Sequence, residues 1–511
     1  MNNVTAQTIE LMGKSLGSPM GADQYGNLLN KVAVTTASNL VWYDLQAPAR
    51  LLVPFITPLR NKLSRKHRTG GTSTRWKVIS AIADAAYLRM GWTPEGARSG
   101  QLTYTATDKL AAYQTIGAEA ALTFEEESAA EGLEDANSRA SFILLEQMML
   151  KEEMALLAGN NSILLGTPTT PTVAAAGTGA TLPAATYSVI VVALTVEGYA
   201  QSSAPTGVAT QKVITAADGK SYTINGGSSN KSAAASQAVT LGQTLSCSTP
   251  VINGAVAYAW FTGTAGNEKL EKITTINSVT FSAPLLGTGQ AATAITGDRS
   301  ANNGSLGGGT VTAFDGLMTT AYAQGALSNA IVTALPTGTA GTGTVLTASG
   351  KGTVNEIDTI LLNLWNTYRV SPNAIWVNAQ EMNNITTKCL NAASGPLLRV
   401  NTNPQDVAQL TAGAFIDFYF NPYAVGGGTK IPVLIHPDIP AGTIFFQGTE
   451  LPGYYKNADT PTVAEVITRR DYYRIDWPLV TRERQYGVYA EETLAVYAPF
   501  CLAILTNIGN G

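Results

Sequence analysis

From Ile357 onward the apolar residues Ile357, Ile360, Leu361, Leu364, Trp365 and Tyr368 share one face of a helix, with polar residues between them. Thr353-Val354-Asn355-Glu356 has capping-box spacing at its start, and Ser371-Pro372 ends it. A second helical pattern runs from about residue 138 to 158, where Phe142, Leu145, Met149 and Leu156 recur at helical intervals. Thr123-Phe124-Glu125-Glu126 and Ser128-Ala129-Ala130-Glu131 both carry capping-box spacing upstream, and Gly159-Asn160 provides the stop. At 1.5 Å per residue this rod would be roughly 30 Å long. Residues 379–391 fit a further helix. Elsewhere the period shortens to two. Tyr473, Ile475, Trp477 and Leu479 alternate with Arg474, Asp476 and Pro478, and residues 487–497 give another strand. The continuous apolar runs Ala374–Val377, 431–434 and 443–446 read as buried strands.

Between residues 166 and 309 the charges nearly vanish, and Thr, Ala, Ser and Gly dominate. Short strand candidates at 187–196, 212–214, 221–224, 255–262, 270–276 and 279–281 are mostly separated by Gly, Asn or Pro. Short strands with frequent turns predict a β-sandwich of immunoglobulin size, with Tyr258-Ala259-Trp260-Phe261 as a central strand. Cys247 has no second cysteine in this stretch, so the immunoglobulin disulfide is missing. Mixed α and β sequence flanks the stretch on both sides, which makes it an insertion in an α+β body.

Residues 1–59 read as an arm. A short amphipathic piece (Ile9, Leu11, Met12, Leu16) precedes an apolar string spaced by Pro48, Pro54 and Pro58, which forbids a helix and favours an extended segment lying on another surface. Next, Arg60, Lys62, Arg65, Lys66, His67, Arg68, Arg75 and Lys77 crowd together, interrupted by Gly70-Gly71. Trp76-Lys77-Val78-Ile79 predicts one strand of a long hairpin. Its tip would lie near Trp92, Pro94, Glu95, Gly96 and Gly100, and its return at Leu102-Thr103-Tyr104. An ordinary solvated basic loop would look the same in sequence.

Composition sharpens this picture. Charged residues are 13% of the 511, about half the usual share of roughly 25%. A chain that buries much of its surface against copies of itself needs fewer charges than a free monomer. The net charge of -4 gives no electrostatic reason to wrap nucleic acid. Three scattered cysteines and the lack of Cys-x-x-Cys argue for reduced thiols rather than a disulfide or zinc framework. Neither a signal peptide nor an apolar run of ~18–20 residues occurs, so assembly in a cytoplasm is expected. His67 and His436 are the only histidines and lack metal-ligand spacing; no nucleophile elbow or phosphate loop is present. Gly426-Gly427-Gly428-Thr429-Lys430 precedes a strand rather than a helix and reads as a turn. Glu125-Glu126-Glu127 and Glu491-Glu492 read as solvated or interface charge, and Met148, Met149 and Met154 as core filler. No catalytic residue, metal or cofactor is expected.

The order of these elements resembles the Hong Kong 97-type major capsid proteins of tailed bacteriophages. Arg75-Trp76-Lys77 after Gly-Gly, then Glu95-Gly96 and Gly100, is similar to that family's extended loop. Glu152-Glu153-x-x-Leu156-Leu157-x-Gly159 is similar to the end of its spine helix, and Pro372-Asn373-Ala374-Ile375-Trp376-Val377 followed by Met382 to its axial domain. Arg482-Glu483 before Tyr486-Gly487, with the stretch 497–504, is similar to its peripheral-domain strands. The likeness covers about three-quarters of the chain, all but the insertion, which fits the immunoglobulin-like domains that decorate some such capsids.

The resemblance implies an arm at 1–59, an extended loop at 60–112, a peripheral domain with spine helix at 113–165, the sandwich at 166–309, an axial domain at 310–450 and peripheral strands at 451–511. It further implies pentamers and hexamers closing an icosahedral head around double-stranded DNA that is not read by sequence, with the insertion outside. A separate scaffolding protein and a portal are the expected partners, with decoration proteins as further candidates. Arg65, Lys66, Arg68, Arg75, Trp76 and Lys77 are the expected intersubunit contacts, with Glu125, Glu126, Glu127 or Glu131 of a neighbour as acidic partners. Lys62, Lys66 and Lys77 are the lysines available for the lysine–asparagine crosslink of some relatives. A nanocompartment shell of the same fold and a surface-layer or adhesin protein are the rival readings.

Overall fold

The computed structural model describes residues 55–84, 91–130, 135–323, 329–349, 352–392, 399–400, 410–411, 416–424, 427–451 and 462–510. The arm's apolar positions up to Pro54, Glu131 and Gly426 lie outside them. Two compact units emerge, residues 1–54 with 125–136 and residues 55–124 with 137–511. In the first, the described structure is the helix begun at Phe124 (Phe124–Ala130).

The second unit is built on two sheets and a sandwich. One sheet has four strands in the order Ser64–His67, Ala464–Asp476, Glu483–Val496, Gln114–Thr123. The edge strand Ser64–His67 is parallel to its neighbour, and the other pairings are antiparallel. The helix Ala136–Ala158 packs on this sheet through Leu144 and Met148, against Tyr486, Val488 and Ala490. That inward stripe differs from the expected one: Phe142 is exposed, because Leu144, Met148, Glu152 and Leu156 form the row at i+4 spacing that meets the sheet. Strands from 113–165 and 451–511 thus meet in one sheet. The basic residues 64–67 join it as an edge rather than forming part of the hairpin.

A second sheet runs Ile331–Ala334, Leu502–Thr506, Ile444–Gln447, Ala374–Val377, Thr429–Ile435, Phe418–Asn421. Its parity is strict. Ile375, Val377, Ile444, Phe446, Ala503 and Leu505 point into one core with the helices Asn355–Tyr368 and Ala379–Ala392. Ala374, Trp376, Phe445, Leu502 and Ile504 point into the other. Apolar residues at successive positions are therefore what a strand buried on both faces requires. The strand Leu502–Thr506 lies inside this sheet, not among the peripheral strands where the sequence placed it. Helix Asn355–Tyr368 ends at Arg369, whose φ of 59° is left-handed, two residues before the Ser371-Pro372 stop. Its capping box does not form. Thr353 Oγ1 donates to Asp358, and Glu356 accepts instead from the amide of Thr347.

The stretch 166–309 contains a four-stranded sheet (Lys269–Thr274, Ala257–Gly263, Ala185–Leu194, Ala235–Val239) facing a three-stranded one (Ser278–Phe281, Thr244–Ser248, Thr172–Ala176). Tyr187, Val189, Val191, Tyr258 and Trp260 share a core with Leu245, Cys247, Val279 and Phe281 of the opposite sheet. The alternate residues Ile190, Val192, Leu194, Ala257, Ala259 and Phe261 join the large central core of the body. Asn160 Nδ2 donates to the Ser300 carbonyl at 2.7 Å, Asn253 Nδ2 to that of Tyr322 at 2.8 Å, and the Asn277 amide to Asn507 at 2.9 Å. No helix among the described residues is long and apolar enough to cross a membrane.

Candidate functional site

Where the expected contact residues begin, the chain makes one helical turn, with Lys62 and Leu63 amides donating to the Leu59 carbonyl. Leu59 and Leu63 sink into the central core beside Leu156. The turn's first amides have no backbone acceptor, as at any helix start, and Glu153 supplies one. Its carboxylate takes the Leu59 amide at 2.9 Å and the Arg60 amide at 2.7 Å. His436, fully buried, completes the arrangement, with Nε2 2.7 Å from Glu153 Oε1. Nδ1 accepts the Asp438 amide at 3.1 Å, so Nε2 carries the hydrogen and donates to Glu153. The imidazole is thus saturated by structural bonds.

The preceding glutamate has other partners. Glu152 accepts from Arg60 Nε at 2.6 Å, from Arg65 Nη1 and from the Tyr472 hydroxyl. Arg65 Nη2 reaches Glu492 at 3.1 Å and Asp471 at 3.3 Å. Both arginines also lie over the Tyr472 ring, at 5.4 and 5.8 Å. Burial, and then the neighbouring Glu152 carboxyl, push Glu492 up to about 8, against the pull of Arg65. The Tyr472 hydroxyl is raised by burial and by Glu152.

Arg65, expected to face a neighbouring subunit, therefore spends its guanidinium inside its own chain. Its strand explains this. Arg65 is paired with Val466, on the face toward the long helix, while Lys66 is paired with Ile467, on the opposite face. Lys66 and Arg68 are exposed, and Arg68 donates to Thr74 Oγ1 at 3.1 Å. The ion pair of Lys77 with Asp108 across the hairpin is 4.0 Å long with both side chains solvated, which is worth little. Lys62 lies 4.8 Å over Trp376. Arg75 is exposed, whereas Trp76 is half-buried, edge-on to Tyr497 at 5.5 Å. Glu125, Glu126 and Glu127 occupy the first turn of Phe124–Ala130, where the helix dipole favours acids.

The hairpin pairs Ser73–Asp84 with Leu102–Ala112, with a bulge between Ile79 and Ala81. Trp76 anchors its base with Tyr113 against Ile467, Ala495 and Tyr497. Farther out it is bare: Leu102 is 66% exposed, Tyr104 68%, Leu110 56%, and Trp92 in the connecting loop 94%. Leu102, Tyr104 and Leu110 lie on one face of their strand by parity.

Sequence reading did not find the ionic junction. Its signal was the pair Glu152-Glu153 set among Met149, Leu150, Met154 and Leu156. Glu492, read as interrupting a strand, lies fully buried within Glu483–Val496.

No family model matches the chain, and no curated protein matches it. Among solved structures, the capsid of a native GTA particle is similar at 10% identity and TM-score 0.40, covering 94% of this chain and 100% of that one. The capsid of Myoviridae phage XM1 is similar at 8% identity and TM-score 0.40, covering 93% and 98%. The SrpI encapsulin complex of Synechococcus elongatus PCC 7942 is similar at 9% identity and TM-score 0.38, covering 91% and 93%. Likenesses of this size assign no function.

Proposed function

We propose that this chain is a shell-forming structural protein, the major capsid protein of a tailed phage with a Hong Kong 97-type fold. The observation that carries the reading is the hairpin. Two isolated strands are marginal in water at best, and this pair leaves Leu102, Tyr104 and Leu110 uncovered on one face. Burying such side chains contributes about 1.5–3 kcal/mol each, so a surface that covers them is favoured, and a second copy of the chain supplies one at high local concentration during assembly. The order of hairpin, long helix and α+β sheets supports the same family reading, as does the low overall charge.

On this reading, subunits gather into pentamers and hexamers of an icosahedral head filled with double-stranded DNA. Lys66, Arg68, Arg75 and Lys77 meet acids of a neighbour, with Glu125, Glu126 and Glu127 as candidates. The immunoglobulin-like insertion turns its three-stranded sheet outward. A scaffolding protein, a portal and decoration proteins are the partners this implies.

The triple variant Leu102→Ser, Tyr104→Ser, Leu110→Ser tests it. Particles should give way to folded subunits or small oligomers in sedimentation velocity. Particles formed as readily as by wild type would overturn the hairpin's role. A shell that closes and stays empty of DNA in the presence of its portal and packaging partners would favour the nanocompartment instead.

A further inference from the structure

At the junction of the long helix with the four-stranded sheet, one carboxyl oxygen lacks what burial demands. Glu492 is fully buried; its Oε2 accepts from Arg65, but its Oε1 has no hydrogen-bond partner. An unpaired buried acceptor costs about 1–3 kcal/mol. The Arg65 guanidinium that binds Glu492 through Nη2 also binds the Glu152 carboxylate through Nη1, so one cation holds both carboxyls. Two carboxyls buried on one guanidinium cannot both ionise cheaply, and a proton on Glu492 Oε1 turns the orphaned acceptor into a donor.

We propose that Glu492 keeps a proton in the closed junction, and that this proton is a latch holding the Ser64–His67 edge, the long helix and the sheet together. The surroundings support the assignment. From the edge segment come Arg60 and Arg65, both bound to Glu152, with His67 exposed on the same strand. From the helix come Glu152 itself, Glu153 bound to His436, and Lys151, whose ammonium donates to the Gly117 carbonyl. From the strand Ala464–Asp476 come Asp471, 61% exposed, and Tyr472. On its own strand Glu492 follows Glu491, which pairs with Arg469. Arg60 and Arg65 therefore face Glu152, Glu492 and Asp471 together. Loss of the Glu492 proton leaves three carboxylates facing two guanidiniums, and forces helix and sheet apart unless water enters.

The sign follows from linkage. A carboxyl held protonated in the closed junction, with its folded value near 8 and an open value near 4.5, stabilises the closed form fully below about 4.5. That advantage is lost progressively as pH rises to about 8, and is flat beyond it. Opening should thus grow about tenfold per pH unit between these limits. The reading is independent of shell assembly, since it concerns the folded subunit.

Hydrogen–deuterium exchange on the assembly-deficient hairpin variant, corrected for intrinsic rates, reads it at the amides of Leu59, Arg60 and Arg68. Their protection should fall about tenfold per pH unit from pH 6 to 8 and then level. In Glu492→Gln, which keeps a donor amide without an ionisable proton, protection should be flat with pH. Should Glu492→Gln fail to fold, Glu152→Gln serves: burial still raises Glu492, but without the Glu152 carboxylate the profile should level at a lower pH than before, and levelling at the same pH would overturn the latch. Parallel profiles in wild-type background and variant would overturn the latch, as would protection that rises with pH.

Discussion

Among single residues, the buried glutamates decide most. Glu153 accepts from two amides and from Nε2 of His436, so Glu153→Ala should orphan these donors at about 1–3 kcal/mol each, seen as a shifted urea midpoint. A midpoint within error of wild type would mean that water replaces the carboxylate without loss. The basic residues divide sharply. Arg65→Glu would set a fourth carboxylate against Glu152, Glu492 and Asp471, and should prevent folding. Lys66→Glu with Arg75→Glu, both on solvent, should change stability by less than about 0.5 kcal/mol yet block particle formation, as read by thermal unfolding and sedimentation. In sequence these residues form one basic run. What separates Arg65 from Lys66 is strand parity, and the parity became visible only once Ser64–His67 was seen to be a sheet edge.

Whole elements were more legible than their positions. The helix Ala136–Ala158, the helix Asn355–Tyr368 and the hairpin were all readable from periodicity, because each carries its own repeating pattern. Several elements gave no such signal. Thr172–Ala176, Ala235–Val239 and Thr244–Ser248 are short strands of small residues, and Gln114–Thr123 is an edge with only Leu122 buried. Sheet membership was also hidden. Leu502–Thr506 looks from sequence like a neighbour of Glu483–Val496, yet the turn at Pro499 carries it into the other sheet. At this scale the hairpin's anchor can be tested. Trp76→Ala should cost about 1–3 kcal/mol, and should raise exchange along Leu102–Ala112 while leaving Asn355–Tyr368 protected. Equal loss in both elements would show that the hairpin is not a separately opening unit.

For the molecule as a whole, the insertion is where the structure most changes the expectation. A surface ornament can be removed, but this four-stranded sheet is buried on both faces. Every residue of Ala185–Leu194 from Tyr187 onward is buried, and one side of the sheet belongs to the body's own core. Deleting residues 166–309 should therefore yield insoluble or molten chain rather than a smaller shell subunit. Turns and an aromatic strand in the sequence marked out several of the short strands in these two facing sheets. The sequence could not show the docking, because buried-both-sides and buried-one-side strands differ only by small residues such as Ala257 and Ala259.

The central claim is the proposed assembly, and negative-stain electron microscopy of the chain, expressed alone and with the scaffolding protein that the proposal implies, tests it most directly. Closed shells or capsomer rings are the predicted result. Monodisperse monomer under every condition would contradict the account.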